Sequence, residues 1–156
     1  MSEKTIDNRY MEFRLGEQLY AIPLLSVKEV IQKPEVTIVP NMPSHFEGMI
    51  NLRGQILGVF NIKKKLATKV IDQHEKINEV VIVVEQNGVS TGMTVDEVTR
   101  VLHAEANMIG PAPLKEDDPA HKYILSVIQS DKELVQTIDV AQLLELEKFK
   151  SLKLAA

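Results

Sequence analysis

Cysteine and tryptophan are absent from the 156 residues, and aromatic residues make up only 4%. Without cysteine there is no disulfide framework, thiolate metal site, thiol nucleophile or redox switch, a composition that suits a reducing cytoplasm. The seven glycines stand at 16, 48, 54, 58, 88, 92 and 110. No two of them make a Gly-x-Gly and none leads into Lys-Ser/Thr at P-loop spacing, so nucleotide binding of those types is excluded. His45, His74, His103 and His121 are far apart, and none pairs with another at metal-ligand spacing. No Gly-x-Ser-x-Gly marks an activated serine. Asp96-Glu97 and Asp117-Asp118 are adjacent in sequence, which sends a strand pair to opposite faces and leaves a loop pair in water. The residues therefore suggest neither a catalytic constellation, nor a cofactor, nor a metal.

Long apolar runs are also missing. The longest, Val80 to Val84, falls far short of the roughly 20 residues that cross a bilayer as a helix. Residues 1–8 contain no apolar h-region. These features lead to the expectation of a soluble cytoplasmic protein with no direct membrane insertion. Eighteen Lys and Arg against 22 Asp and Glu give a net charge of −4, the wrong sign for a dedicated nucleic-acid binder. Lys63-Lys64-Lys65 reads as a solvated edge.

What is present is a globular composition, 44% hydrophobic and 26% charged, in a length that suits one domain spanning 1–156. Apolar alternation flanks polar or glycine-bearing turns four times. Met11, Phe13 and Leu15 precede Gly16-Glu17-Gln18, with Tyr20 and Ile22 beyond; Met49 to Leu52 and Ile56 to Ile62 flank Arg53-Gly54-Gln55. Val80 to Val84 and Val89 to Val95 flank Asn87-Gly88, a strong type I′ signal. Tyr123 to Val127 and Leu134 to Ile138 flank Ser130-Asp131-Lys132. Four β-hairpins are expected.

Pro34, Pro40 and Pro43 form one cluster and Pro111, Pro113 and Pro119 another, each after a Val-x-Glu-Val segment (Val27 to Val30, Val95 to Val98). The order hairpin, Val-x-Glu-Val, proline loop, hairpin thus occurs twice. It suggests two similar subdomains, about 10–65 and 78–139, joined by a polar connection over Lys63 to Asn78. Leu24, Val27, Val30 and Ile31 suit a short helix, while Val27, Glu29 and Ile31 suit a strand face equally well. Asp139, Gln142 and the spacing of Val140, Leu143, Leu144 and Leu146 predict a capped terminal helix over about 140–150.

As a strand, Glu47 to Gly54 puts Asn51 and Arg53 on the face opposite Ile50 and Leu52. Arg53 holds its charge at any accessible pH and offers a fork for a carboxylate, with Glu29 the leading candidate partner. Asn51-Leu-Arg-Gly54, coming after Pro40-Asn-Met-Pro-Ser-His-Phe-Glu-Gly48, resembles the signature of the CheW family of chemotaxis coupling proteins. The resemblance extends to Phe13 through Ile22, Val27-Lys-Glu-Val-Ile31, Gly92-Met-Thr-Val-Asp-Glu-Val98 and Ile109-Gly-Pro-Ala-Pro113, in matching order and spacing.

This resemblance implies a mainly β, CheW-like fold: two SH3-like five-stranded β-barrel subdomains sharing an apolar seam, plus the C-terminal helix. It also implies a non-enzymatic adaptor that links the cytoplasmic tips of methyl-accepting receptors to the regulatory domain of the histidine kinase CheA, and that is recruited to membrane receptor arrays. By position in the matching motifs it puts Arg53, Asn51, Glu29, Val80 and Val101 on the receptor side and Val27 and Ile31 on the kinase side. Where the family often has Pro-Val-Ile-Asp-Leu-Arg, this chain has Gly58-Val-Phe-Asn-Ile-Lys63. That departure points to an alternative, a divergent adaptor serving another receptor set or a non-flagellar pathway.

Overall fold

A computed structural model describes residues 7–66, 79–86, 88–112, 117 and 121–144. Strands β1 (Arg9–Leu15) and β2 (Gln18–Pro23) form the first hairpin, and a 3-10 turn at Leu24–Ser26 leads into β3 (Val27–Gln32). Strands β4 (Phe46–Leu52) and β5 (Gln55–Asn61) run directly into α1 (Ile62–Leu66). After β6 (Val80–Gln86), β7 (Val89–Val95) and β8 (Glu97–His103) come β9 (Ile109–Gly110), β10 (Ile124–Ser130), β11 (Glu133–Ile138) and α2 (Val140–Leu144).

All four expected hairpins form; Asn87, in the third turn, lies outside the described residues. The segment that suited helix or strand is the strand β3. Alternation decides it: Val27, Glu29 and Ile31 are half-buried while Lys28, Val30 and Gln32 face out. Asp139 caps α2, its Oδ1 accepting the Gln142 N–H at 3.2 Å; the expected continuation over 145–150 lies outside the described residues. The polar connection begins differently from expectation, because Lys63-Lys64-Lys65 lie on α1. Ile62 and Leu66, one turn apart, bury the inner side of that helix, and Asn61 Oδ1 accepts the Lys64 N–H at 3.2 Å at its start.

Two sheets form, a six-stranded one in the order β8-β1-β2-β11-β10-β9 (sheet A) and a five-stranded one in the order β3-β6-β7-β5-β4 (sheet B). Neither follows the chain halves 10–65 and 78–139. Each half gives its first hairpin to the other half's sheet, so β1 and β2 sit with β8 to β11, and β6 and β7 sit with β3 to β5. The exchange is sealed by the two parallel pairings, β11 with β2 and β5 with β7. The repeat in element order is real, but the Val-x-Glu-Val match is out of register. Val27 begins β3 opposite Val84, whereas Val95 ends β7, and the residue related to Val27 is Val98, opposite Phe13.

Both sheets curl. Leaving β3, the chain reaches Thr37, whose N–H and C=O both bond Met49 of β4 at 2.8 Å. In a flat sheet that position would lie about 24 Å from β3, while the five residue steps from Gln32 span at most about 17 Å. Each curled sheet encloses its own apolar interior: Ala21, Leu102, Ala104, Ile128 and Val135 in sheet A, and Ile50, Leu57, Val59, Val81 and Val83 in sheet B. A third cluster joins the sheets, with Phe13, Leu15, Tyr20 and Ile22 meeting Phe60, Ile82, Val84 and Met93, closed by Leu66, Leu143 and Leu144. This is the shared seam. The run Val80 to Val84 is continuous because β6 buries both faces, Val81 and Val83 in the sheet B interior and Ile82 and Val84 in the seam.

Candidate docking faces

Strand β4 ends at Leu52, so Arg53 belongs to the turn and does not share a strand face with Asn51. Arg53 (φ 50°) and Gly54 (φ 86°) both occupy the left-handed region, the type I′ arrangement of a two-residue hairpin turn. Asn51 Oδ1 accepts the Gly54 N–H at 2.8 Å, which fastens the turn from within. Leu52 packs against the sheet B interior. Within Asn-Leu-Arg-Gly, then, the asparagine and glycine build the turn, the leucine anchors it, and the arginine is displayed at its tip, with its side chain 69% exposed.

Arg53 Nη2 donates to Glu29 Oε2, as its charge and reach suggest. The hydrogen bond from Arg53 holds the Glu29 carboxyl below the usual carboxylate range, and the same bond raises the guanidinium pKa. This contact spans the two edges of sheet B, since β3 and β4 are its outermost strands. Lys33, just past β3, reinforces the closure by reaching Glu47 of β4 at 2.5 Å and Glu79 at 3.4 Å. Among the described residues, no group of three His, Asp or Glu is placed to hold a metal.

The CheW-like domain family matches residues 9–148. The chain belongs to that family. It is similar to the chemotaxis protein CheW of Klebsiella aerogenes, 30% identical over 148 residues that cover 95% of this chain and 88% of the relative. The CheW of Thermotoga maritima is also 30% identical, with 86% of each chain covered. Among solved structures, the scaffolding protein TtCheW from Thermoanaerobacter tengcongensis superposes with a TM-score of 0.74 at 28% identity, covering 90% of this chain and 89% of its own.

The remaining motif positions of this CheW-like chain are dispersed. Val27 is half-buried against the seam and Ile31 against the sheet B interior, so β3 turns Val30 and Lys28 outward in their place. Val80, half-buried against the seam, opens β6 between Gln32 and Val95. Val101 is exposed on β8, in the other sheet, opposite Met11. Of these seven positions, Glu29 and Arg53 are the two joined by a side-chain bond.

Sequence reasoning passed over the exposed apolar residues outside the matching motifs. Met49 and Ile56 lie on the outer side of the β4–β5 hairpin, and Leu125 and Leu134 lie on that of β10–β11. Ile56 and Leu134 hold the same place, each one residue beyond the start of the hairpin's second strand. That outward parity was the available signal. Ile38 and Leu25, in connecting segments, are 80% and 75% exposed. Two of the positions where the chain departs from the common family pattern make bonds within the fold: Asn61 caps α1, and Lys63 pairs with Asp96 at 2.5 Å.

Proposed function

We propose that this chain is a non-enzymatic adaptor of bacterial chemotaxis signalling that couples methyl-accepting receptors to the histidine kinase CheA. The family match across 9–148 carries the reading, and the display of Arg53 at a turn tip supports it. With no reaction to perform, such a protein acts by geometry. It presents separate faces to separate partners, and its output is a shift in the population of active kinase.

The receptor face comprises Arg53, set by the Asn51 turn and by Glu29, together with Val80 and Val101. A helical receptor tip laid there meets an apolar surface on which a guanidinium fixes register. The kinase face lies at β3, where Val27 and Ile31 set the strand and Val30 is the exposed apolar residue beside them. Pairwise contacts of modest strength suffice, because receptor, adaptor and kinase held in one membrane-associated array raise each other's effective concentration.

The test is titration of the isolated CheA regulatory domain and of a receptor tip with wild type, Val30→Glu, Val27→Ala and Arg53→Glu, each variant checked by a melting curve. Loss of kinase binding in folded Val30→Glu and of receptor binding in folded Arg53→Glu is expected. A wild type that binds the receptor tip but not the kinase domain would sink the coupling role and favour a divergent adaptor.

A further inference from the structure

The two curled sheets are fastened at related places by latches of opposite polarity. Register shifts at the same point in β3 and β8 make Glu29 and Arg100 related residues, each the first past its shift. Related turns face them. Arg53 (φ 50°) opens the β4–β5 turn and Asp131 (φ 53°) opens the β10–β11 turn. In sheet B the strand supplies the carboxylate and the turn the cation. In sheet A the strand supplies the cation: Arg100 Nη2 donates to Ser130 Oγ at 3.2 Å and stands 3.8 Å from Glu133 Oε2.

What lies beneath the latches differs more. Opposite Glu29 on β6 is Val83, an apolar residue of the sheet interior. Opposite Arg100 on β1 is Glu12, 2% exposed, whose Oε1 accepts Arg100 Nε–H at 3.2 Å and whose Oε2 accepts the Thr99 hydroxyl at 2.5 Å. Among the described residues, Arg100 is the one cation bonded to this carboxylate. Pulling Arg100 away would leave a buried charge without its counterion, a severe penalty, whereas parting Glu29 from Arg53 returns both to water and leaves the half-buried pair of Lys33 with Glu47 as the second tie between the end of β3 and β4.

We propose that the sheet A latch is a lock and the sheet B latch a clasp. Sheet A stays closed up to global unfolding, and sheet B opens locally between β3 and β4 while the rest of the molecule remains folded. Conformational give is thereby concentrated at the end of the molecule that displays Arg53.

Hydrogen exchange of the full chain under native conditions, with urea midpoints, tests this on wild type, Arg53→Gln and Arg100→Gln. In Arg53→Gln the Thr37 and Met49 amides are expected to exchange about tenfold faster with an unchanged midpoint, as for a local opening, and faster again when Lys33→Gln also removes the tie to Glu47. In Arg100→Gln the midpoint is expected to fall, with the β1, β8 and β10 amides exchanging together. Should Arg100→Gln fail to fold, Glu12→Gln/Arg100→Gln, which removes both charges and keeps a bond to Thr99, is expected to restore folding. A double variant that stays unfolded would overturn the lock. So would an Arg100→Gln whose faster exchange is confined to β9 and β10 at an unchanged midpoint, or an Arg53→Gln that lowers the midpoint as far as Arg100→Gln.

Discussion

Lys63 and Asp96 meet at 2.5 Å, and the second oxygen of Asp96 accepts the Gly16 N–H at 2.6 Å. One carboxylate therefore ties α1, the β7–β8 link and the first hairpin turn together at the seam. Asp96→Ala is expected to lower unfolding free energy by about 1–3 kcal/mol, measured by urea denaturation, because it strips both bonds from a half-buried site. Lys63→Arg retains the ion pair and is expected to match wild type in stability and in binding both partners. Asn61→Asp caps α1 equally well and is expected to leave partner choice unchanged. A change of partner preference in either conservative variant would show that these positions select partners.

Gly48 has φ 148° where the register of β4 shifts, and a Cβ there would stand 2.2 Å from the Thr37 carbonyl oxygen. Thr37 cannot yield without losing its paired bonds to Met49. Gly48→Ala is expected to cost about 3 kcal/mol or more in a thermal or urea melt. Gly54→Ala is milder, about 1 kcal/mol, since its Cβ meets nothing within 4 Å and only φ is wrong.

Asp7, bonded by the side chain and backbone of Arg9, has its carboxyl pKa lowered from 3.8 to about 2. A depressed carboxyl contributes stability that is fully present above the unfolded value and disappears as pH falls through the folded one. The window therefore runs from about pH 4 down to about pH 2. Carbon-detected NMR titration is expected to show the low midpoint in wild type and a return toward the ordinary value in Arg9→Gln. An ordinary midpoint in wild type would refute the pairing in solution.

Ile82 is fully buried in the seam that joins the two sheets. Ile82→Ala is expected to cost about 2–5 kcal/mol and to lower the unfolding transition of both sheets together, followed by methyl NMR of Ile50 in one interior and Ile128 in the other. Separate transitions for the two methyls would contradict a common core.

The hairpins were legible because a two-residue turn and alternation are local properties of the chain. Glu29 and Arg53 were legible as a pair from complementary charge. The exchange of hairpins was not, since the parallel pairing of β2 with β11 leaves no mark in the sequence of either strand. Three lysines masked α1, whose buried residues are only Ile62 and Leu66. Glu12 alternates with Met11 and Phe13 as an outward residue should, yet its face of β1, opposite Ala21, is turned to the sheet A interior and not to solvent. The site residues taken from the family pattern were legible as positions, but their burial depended on which sheet face each strand presents to the seam.

The interlaced hairpins set a timetable for synthesis. Strand β2 leaves the ribosome early, yet the strand that completes its edge, β11, is among the last described elements of the chain. At ordinary translation rates the first hairpin waits on the order of ten seconds with that edge open. The nascent chain cannot bank a finished N-terminal half, and a ribosome stalled before Glu133 holds a sticky, unfinished sheet, a natural client for a holding chaperone.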